Sequence, residues 1–224
     1  MDYQEIIKKL KFLANPKNVE GMARFGINPK NTLGVSVPDL RALAKRVGRN
    51  NKTAQQLWDS GIHEAKILAG MVDEIEKVTE KQMDRWIKDF DSWDVCDQVC
   101  MNLFDKTLFS FKKAMEWSNR KNEFEKRAGF ALMSCLAWHD KTSGDEKFFK
   151  FFIAIKKHSQ DQRNYVKKAV NWALRQIGKR NKNLNKEAIK VAREILKIDS
   201  KAAKWIAGDA LRELMSPAVQ KRLN

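Results

Sequence analysis

The stretches "KRAGFALMSCLA", which begins at Lys126, and "KKAVNWALRQIG", which begins at Lys167, share one pattern that decides the predicted fold. In each, one or two cations precede a small residue, and apolar residues then recur at helical spacing. The second stretch begins 41 residues after the first, and "SKAAKWIAGDAL" repeats the pattern with Ala203 lying 34 residues after Ala169. The sequence therefore predicts repeated helical units that stack on one another.

The rest of the chain has the same helical periodicity. Its 224 residues include only four prolines and ten glycines, and no alternating apolar-polar run is long enough to predict a strand. Stretches such as "INPKNTLG" and "DKTSGDE" break the periodic segments. The predicted helices lie near residues 3–14, 37–48, 52–60, 62–78, 80–90, 92–105, 108–118, 122–138, 145–158, 161–180, 185–197 and 200–214.

These observations predict an all-α fold. The repeat offsets are near the period of ~40–47 residues that is typical of HEAT-type helical pairs. Such pairs cannot bury their apolar faces alone, so they stack side by side. We therefore expect a single domain over residues 1–224, built as a right-handed curved solenoid of HEAT-like antiparallel helix pairs with a concave basic groove. A helical bundle is the alternative architecture.

The charge is distributed unevenly along the chain. The formal net charge is +16, and residues 1–112 hold 18 basic and 16 acidic residues, whereas residues 113–224 hold 26 and 12. This asymmetry indicates a polyanionic partner, either nucleic acid or an anionic membrane surface. A soluble basic protein without such a partner is the alternative.

Several protein classes are not supported by the sequence. The N-terminal stretch "MDYQEIIKKLKFLANP" has no apolar core of a secretory signal, and no segment approaches ~18 apolar residues. We therefore expect a cytoplasmic protein with no membrane span and with Cys96, Cys100 and Cys135 reduced. The cysteine spacing is not that of a zinc site, so we predict no metal. His63 and Glu64 are interpreted as an exposed helix start, because no second histidine lies four residues on.

An unusual face is predicted for the helix near residues 161–180. Lys168, Trp172, Arg175 and Lys179 fall on the same side of it, opposite the apolar residues. One interpretation is that Trp172 is a boundary residue packed by the stems of neighbouring lysines. The other is that it forms a stacking or cation-binding platform beside phosphate-binding side chains.

A second tryptophan lies one turn from a carboxylate in "DFDSWDVCDQVC". We expect Ser92 to be the N-cap of a helix whose one face carries Trp93 and Asp97. Asp94 is explained by the helix dipole, which favours a carboxylate in the first turn. Asp97 lies too far into the helix for that explanation, and its charge would oppose phosphate binding. It therefore indicates a chemical role of its own.

At these residues the chain resembles a known family. The stretches "DSWDVCD", "KRAGFAL" and "VNWALRQIGK" resemble, in order and spacing, motifs of the DNA alkylation repair family of HEAT-like repeat proteins, the AlkD-type DNA glycosylases. The segment "GMARFGINPKNTLGVSVPDLRALAK", residues 21–45, resembles the N-terminal part of that family. The resemblance covers about residues 16 to 214. It implies hydrolysis of the N-glycosidic bond of cationic alkylated purines, N3-methyladenine and N7-methylguanine, in duplex DNA without base flipping.

The resemblance also implies a role for individual residues. Asp97 would be the catalytic carboxylate, and Trp93 and Trp172 would contact the lesion nucleotide. The implied DNA-binding residues are Arg127 at the phosphate near the lesion, with Arg175, Lys179, Lys168, Arg41, Phe25 and Arg24. The better-known members have a tyrosine at the position of Phe25, so a hydroxyl contact is lost and the lesion preference stays open. The implied partner is alkylated double-stranded DNA, bound by a monomer without a metal or nucleotide cofactor.

The implied chemistry is consistent with these residue types. A cationic alkylpurine leaves as a neutral base, so the leaving group needs no general acid. A single carboxylate can stabilise the oxocarbenium ion that develops on the sugar and can orient the attacking water. Each indole face attracts a cationic base by ~0.5–2 kcal/mol, which favours charged lesions. Two alternatives are a non-catalytic binder of distorted or branched DNA and a HEAT-type scaffold for an acidic peptide.

Overall fold

The computed structural model describes residues 1–223, and every regular element in them is a helix. The prediction of an all-α fold is confirmed. The chain forms two compact units, which we call the N-terminal unit, residues 1–107, and the C-terminal unit, from residue 108 onward. The N-terminal unit has 17 basic and 16 acidic residues, whereas the C-terminal unit has 27 and 12. The excess of positive charge therefore belongs to the C-terminal unit.

The N-terminal unit contains seven α-helices. They are α1 (Tyr3–Phe12), α2 (Pro16–Arg24), α3 (Val37–Val47), α4 (Asn51–Asp59), α5 (His63–Val72), α6 (Glu80–Trp86) and α7 (Trp93–Asn102). Helix α5 is central, because it packs against α3, α4 and α7. Most of its residues are buried, as its composition of small and apolar side chains allows.

Two stacked indoles connect α4 and α6. The rings of Trp58 and Trp86 are parallel with centroids 4.0 Å apart, and both side chains are almost fully buried. The indole Nε1 of Trp58 donates to Asp89 Oδ2 at 2.8 Å, so its polar atom is satisfied. These aromatic residues therefore form the core of the unit on the side of α4 and α6.

The C-terminal unit is built from helix pairs. Its helices are α8 (Ser110–Ser118), α9 (Glu123–His139), α10 (Asp145–His158), α11 (Asn164–Gly178), α12 (Lys182–Leu196), α13 (Lys201–Leu214) and α14 (Pro217–Leu223). Within pairs, α8 packs on α9, α10 on α11, and α12 on α13. Between pairs, α8, α10 and α12 form one layer, and α9, α11 and α13 form the other. This is the two-layer packing expected of helical repeats.

Polar contacts between successive pairs recur at a nearly constant separation in sequence. Four of them span 35 to 38 residues: Lys126 to Asp161, Arg127 to Tyr165, Asn171 to Ile206, and Arg175 to Glu213. A constant separation is what stacked, equivalent helices produce. The sequence repeats offset by 41 and 34 residues therefore correspond to a structural repeat.

Two short helices and one boundary differ from the prediction. No helix is predicted over residues 16–24 or 217–223, but α2 and α14 lie there and begin at Pro16 and Pro217, because the first turn of a helix tolerates proline. Helix α2 has only nine residues and no fully buried side chain, so its apolar pattern, Val19 and Met22, does not repeat. The helix predicted over residues 62–78 ends at Val72 and is followed by a 3₁₀ turn, Ile75–Lys77.

The predictions of no membrane span and of reduced cysteines can be compared with the structure. Across residues 1–223, no helix has both the length and the apolar character needed to cross a membrane. Cys96, Cys100 and Cys135 are all buried, and none of them forms a disulfide.

Gly129 sets the distance between α8 and α9. A Cβ atom at this position would lie 2.8 Å from Ser118 Cα and 2.9 Å from the Ala114 carbonyl oxygen. Both neighbours are backbone atoms, which cannot turn aside as a side chain can. The glycine of "KRAGFAL" is therefore required by the close approach of the two helices.

We predict that Gly129→Ala destabilises the protein by about 1–3 kcal/mol, because the added methyl group forces the α8 and α9 backbones apart. Denaturant unfolding of the variant and the unmodified protein measures the difference. Gly208→Ala is the matched control, since nothing lies within 4 Å of a Cβ there, and it should be neutral or stabilising by up to about 1 kcal/mol. Equal stability of the Gly129 variant and the unmodified protein would contradict the packing argument.

Candidate nucleic-acid interface

Helix α7 separates its apolar and polar residues cleanly. Val95, Cys96, Val99 and Cys100 are buried, and α7 packs on α5. Trp93 and Asp97 lie on the other side, one turn apart, and both are partly buried. The predicted pairing of an indole and a carboxylate on one helix face is therefore present in the structure.

The loop after α2 is fastened to the start of α7. Ser92 is the N-cap residue of α7, as predicted, and its buried hydroxyl accepts the backbone N–H of Asn28 at 2.9 Å. The indole Nε1 of Trp93 donates to the carbonyl oxygen of Phe25 at 3.1 Å. These bonds bring Phe25 and Trp93 together, as the site prediction requires. Phe25 is 76% exposed, so its ring is accessible.

A buried carboxylate holds the next part of the same loop. Glu64 is fully buried and accepts backbone N–H groups from Leu33 at 2.9 Å, Gly34 at 2.6 Å and Val35 at 3.2 Å. An irregular loop has no regular hydrogen-bonding pattern that pairs its backbone N–H groups. The Glu64 carboxylate accepts their hydrogen bonds instead. His63 and Glu64 begin α5, as predicted, but the prediction that they are exposed is wrong, because both residues are buried.

His63 fixes the first turn of α7 through Asp94. Its Nε2 lies 2.8 Å from Asp94 Oδ2, and the two side chains are 3% and 14% exposed. Burial alone would lower the pKa of His63, but the hydrogen bond and charge of Asp94, with the charges of Glu64 and Asp91, outweigh it. The pKa of His63 is consequently raised above 6.5.

An open cavity of about 630 Å³ lies within the N-terminal unit. Its wall is mostly apolar and includes Met22, Phe25, Ile67 and Trp93, while His63 and Asp94 also line it. Asp97 is not among the lining residues. The two carboxylates of α7 therefore have different surroundings: Asp94 is paired with His63 and lines the cavity, and Asp97 does not line it.

The remaining predicted residues of the N-terminal unit lie at its surface. Arg24 is the last residue of α2, and Arg41 is on α3; both side chains are exposed. Exposed guanidinium groups can contact phosphate without loss of an internal partner. No cluster of three or more His, Cys, Asp or Glu side chains that could hold a metal occurs within residues 1–223.

The predicted basic face of α11 is met by acids from α13. Lys168 is exposed, whereas Trp172, Arg175 and Lys179 are partly buried. Arg175 pairs with Glu213 and lies 3.6 Å from Asp209, and the Nζ of Lys179 lies 2.5 Å from Glu213. Two of the predicted phosphate ligands therefore have internal counterions.

The charge of Glu213 is stabilised by these partners. Burial alone would raise its pKa, but hydrogen bonds from Lys179 and Arg175 and their charges hold the pKa below its ordinary value. Glu213 is therefore ionised at neutral pH, and it forms ion pairs with both cations.

Arg127 is mainly a structural residue in this conformation. Its side chain lies on α9, the residue is 6% exposed, and its Nη1 donates to the Tyr165 carbonyl oxygen at 2.8 Å. This bond ties α9 to the first turn of α11. A contact between Arg127 and DNA phosphate stays a prediction.

Sequence reasoning missed several partners of the predicted residues. The contact of His63 with Asp94 and that of Glu64 with Leu33 both span 31 residues, as does the bond from Trp58 to Asp89. Contacts at this separation join separate parts of the chain, so helical spacing does not indicate them. Similarly, Glu213 follows Lys179 by 34 residues, which is close to the repeat of the C-terminal unit.

We predict that His63 stabilises the fold more at low pH than at high pH. Because its pKa is raised in the folded state, its contribution is fully present below pH 6.5 and is lost as the pH rises through the folded-state value. The measurement is the difference in unfolding free energy between the unmodified protein and His63→Gln across that range. A difference that is constant, or that grows with pH, would show that no ion pair with Asp94 is formed.

Comparison with known proteins agrees with this geometry. The sequence model of a family described as "DNA alkylation repair enzyme" matches residues 6–214. One solved structure, described as "a new family of proteins related to the HEAT-like repeat DNA glycosylases with affinity for branched DNA structures", has a TM-score of 0.81 and 20% sequence identity. The alignment covers 100% of this chain and 96% of that chain, so the two share the HEAT-like repeat fold.

Two further structures have lower similarity. An engineered protein gives a TM-score of 0.40 at 14% identity, with 89% of this chain and 97% of that chain covered. A designed armadillo repeat protein in complex with the peptide (KR)4 gives 0.38 at 13% identity, with 82% and 88% covered. No curated protein is significantly similar in sequence. Since the family model covers nearly the whole chain, the protein belongs to the DNA alkylation repair enzyme family.

Proposed function

We propose that the protein is a DNA glycosylase that hydrolyses the N-glycosidic bond of cationic alkylated purines, such as N3-methyladenine and N7-methylguanine, in duplex DNA without base flipping. The observation that carries the proposal is that Trp93 and Asp97 lie one turn apart on the same face of α7 and that both are partly buried. Asp94, the neighbouring carboxylate of α7, is bound to His63 at 2.8 Å.

In the proposed reaction, a single carboxylate, that of Asp97, assists both the cleavage of the glycosidic bond and the attack of water. The C–N bond breaks with both of its electrons passing to the purine, which neutralises its positive charge. The sugar then becomes an oxocarbenium ion, which Asp97 stabilises by its negative charge. Water, oriented by Asp97, attacks the sugar carbon and releases a proton to the surrounding solvent. No general acid is needed, which is consistent with a site that has one assigned catalytic carboxylate.

The aromatic residues are proposed to select and place the lesion. Trp93 is fixed by its hydrogen bond to Phe25, so its ring can act as a preorganised contact. An indole face attracts a cationic base by ~0.5–2 kcal/mol and a neutral base less. Trp172 of the C-terminal unit is assigned the same kind of contact by the family resemblance. Its half-buried position on α11 is compatible with that assignment.

The cations of both units are proposed to bind the phosphates. Arg24, Arg41 and Lys168 are exposed and can bind immediately. Arg175 and Lys179 would first have to leave Glu213 or share it with a phosphate. We therefore propose that Glu213 reduces the affinity for DNA and is itself a competitor of the backbone.

A second function is favoured by one comparison. The similar structure with a TM-score of 0.81 is described as one of a family with affinity for branched DNA. On that basis, the protein would bind branched or distorted DNA without cleaving the glycosidic bond. The two functions differ in one measurable outcome, which is the release of free alkylated base.

We predict that Asp97→Asn lowers the release of N7-methylguanine from methylated duplex DNA by roughly 100-fold or more, since the oxocarbenium ion loses its counter-charge. Affinity for the duplex should change only a few-fold, because Asp97 does not bind phosphate. Chromatographic analysis of the released bases and a binding titration measure the two effects.

Glu20→Gln is the matched control for the Asp97 variant, because it removes one negative charge from an exposed position of the same unit. It should retain full base release. If the unmodified protein releases base and Asp97→Asn does so at a similar rate, the carboxylate has been assigned wrongly. If the unmodified protein binds DNA and releases no base, the non-catalytic function replaces the glycosylase.

We predict that Glu213→Gln tightens binding to DNA and makes it more dependent on salt, because Arg175 and Lys179 become available to phosphates. Each additional phosphate contact steepens the plot of log K against log salt by about 0.9. Glu187→Gln, which removes the same charge from α12, is the control. A slope that is the same for both variants would place Arg175 and Lys179 outside the DNA-binding surface.

A further inference from the structure

Trp205 is an exposed indole that the core does not require. It lies on α13 and is 43% exposed. The buried side of α13 is already filled by other residues: Ala202, Ala203, Ile206, Ala207 and Ala210. The core of α13 is thus complete without the indole, and the exposed part of the indole is accessible to a ligand.

The surroundings of Trp205 are cationic. The Nζ of Lys167 lies over its ring, 5.0 Å from the centroid. Lys168, Lys201 and Lys204 are exposed nearby in sequence on the same two helices. Of these, Lys204 has a counterion in Asp199 at 2.8 Å. An indole among lysines is the combination that binds the ring and the phosphate of a nucleotide.

The position of Trp205 relative to α11 is fixed. The buried side chain of Asn171 donates to the carbonyl oxygen of Ile206 at 3.1 Å, next to Trp205 in the chain. One turn further along α13, Asp209 lies 3.6 Å from Arg175. Trp205 and Asp209 are four residues apart, so they occupy the same helix face. Trp205 therefore borders the surface that carries the predicted DNA-binding residues of α11.

We infer that Trp205 is a stacking platform for an unpaired DNA base, and that Lys167 and Lys168 hold the phosphates of that nucleotide. The inference rests on the proposed function, since it requires that the protein binds DNA. It adds a specific substrate class, which is duplex DNA that continues into a single strand at an end, gap or branch.

The ligand of Trp205 is an unpaired base, because the bases inside a duplex have no free face on which an indole can stack. Inside a duplex, neighbouring bases cover both faces of every base, and only phosphates and base edges remain accessible. An indole can stack only on a base whose face is open. Lys167 already places a positive charge over the ring, so a neutral base fits better than a cationic one. This site is therefore distinct from the proposed contacts with the alkylated purine.

The surface of α13 is open at Gly208, close to Trp205 in sequence. Gly208 lies three residues after Trp205, on the same side of α13, and nothing is found within 4 Å of where its Cβ would be. A flat ligand can thus approach Trp205 along the helix without meeting a side chain at that position.

The test compares three DNA molecules with the same duplex. The first is blunt, the second carries a short single-stranded thymidine extension, and the third carries an extension of abasic sugar-phosphate units. The third keeps the phosphates and removes the bases, so it separates stacking from charge attraction. The unmodified protein should bind the thymidine extension roughly ten-fold more tightly than the abasic one, as one stacked base contributes.

Trp205→Ala should abolish this preference, and Trp205→Phe should keep part of it. Trp138→Ala is the matched control, because Trp138 is 53% exposed but lies on α9 and stacks on His139 at 4.8 Å. That variant should retain the full preference. Thermal unfolding of Trp205→Ala should stay close to that of the unmodified protein, whereas a large loss of stability would mean that the indole only fastens α13 to α11.

The outcomes separate this inference from the proposed function. If the unmodified protein binds all three DNA molecules equally, or if Trp205→Ala keeps the preference for bases, the stacking platform is overturned while DNA binding stands. If the unmodified protein binds none of them, the proposed function and the platform both fall. If methylated DNA yields no free base but the preference for bases is present, the glycosylase falls and the platform stands.

Discussion

Two adjacent side chains at the start of α5 hold the candidate site of the N-terminal unit in place. Glu64 accepts three backbone amides of the loop at residues 33–35, and His63 binds Asp94 in the first turn of α7. Both are charged or polar groups inside the protein, where an unpaired partner would cost several times what a satisfied one contributes. The orientation of Trp93 and the path of the loop that ends in α3 consequently depend on one dipeptide.

The fold could be predicted from sequence because repetition is visible at the level of single residues. Small residues after cations mark α9, α11 and α13, and Gly129 shows why one of them must be small. The short helices α2 and α14 could not be predicted in this way. Helix α2 has no fully buried side chain and α14 buries only Val219, and at nine and seven residues both are too short for an apolar periodicity to repeat. The separation of the chain into two compact units also leaves no compositional mark other than the charge.

The candidate site was only partly predictable, for a physical reason. That Trp93 and Asp97 share one helix face follows from helical spacing alone. Their catalytic and lesion-contacting roles are implied only by the family resemblance. The counterions could not be found so easily, because Glu213 and Asp209 reach α11 from another helix. The exposed basic face expected for α11 is thus partly neutralised. A count of lysines and arginines overstates the field that DNA would meet, since only charges without internal partners release counterions fully.

The absence of buried side chains in α2 has a consequence for motion. Its attachments are mainly polar, such as the bond from Asn18 Nδ2 to the Gly34 carbonyl oxygen at 2.8 Å. Local opening of a segment costs less when little apolar area must be exposed to water. Amide hydrogens of α2 should therefore exchange with solvent sooner than those of α5 or α7. Phe25 directly follows α2 and its carbonyl oxygen accepts the bond from Trp93 Nε1, so opening of α2 would also release the Trp93 indole.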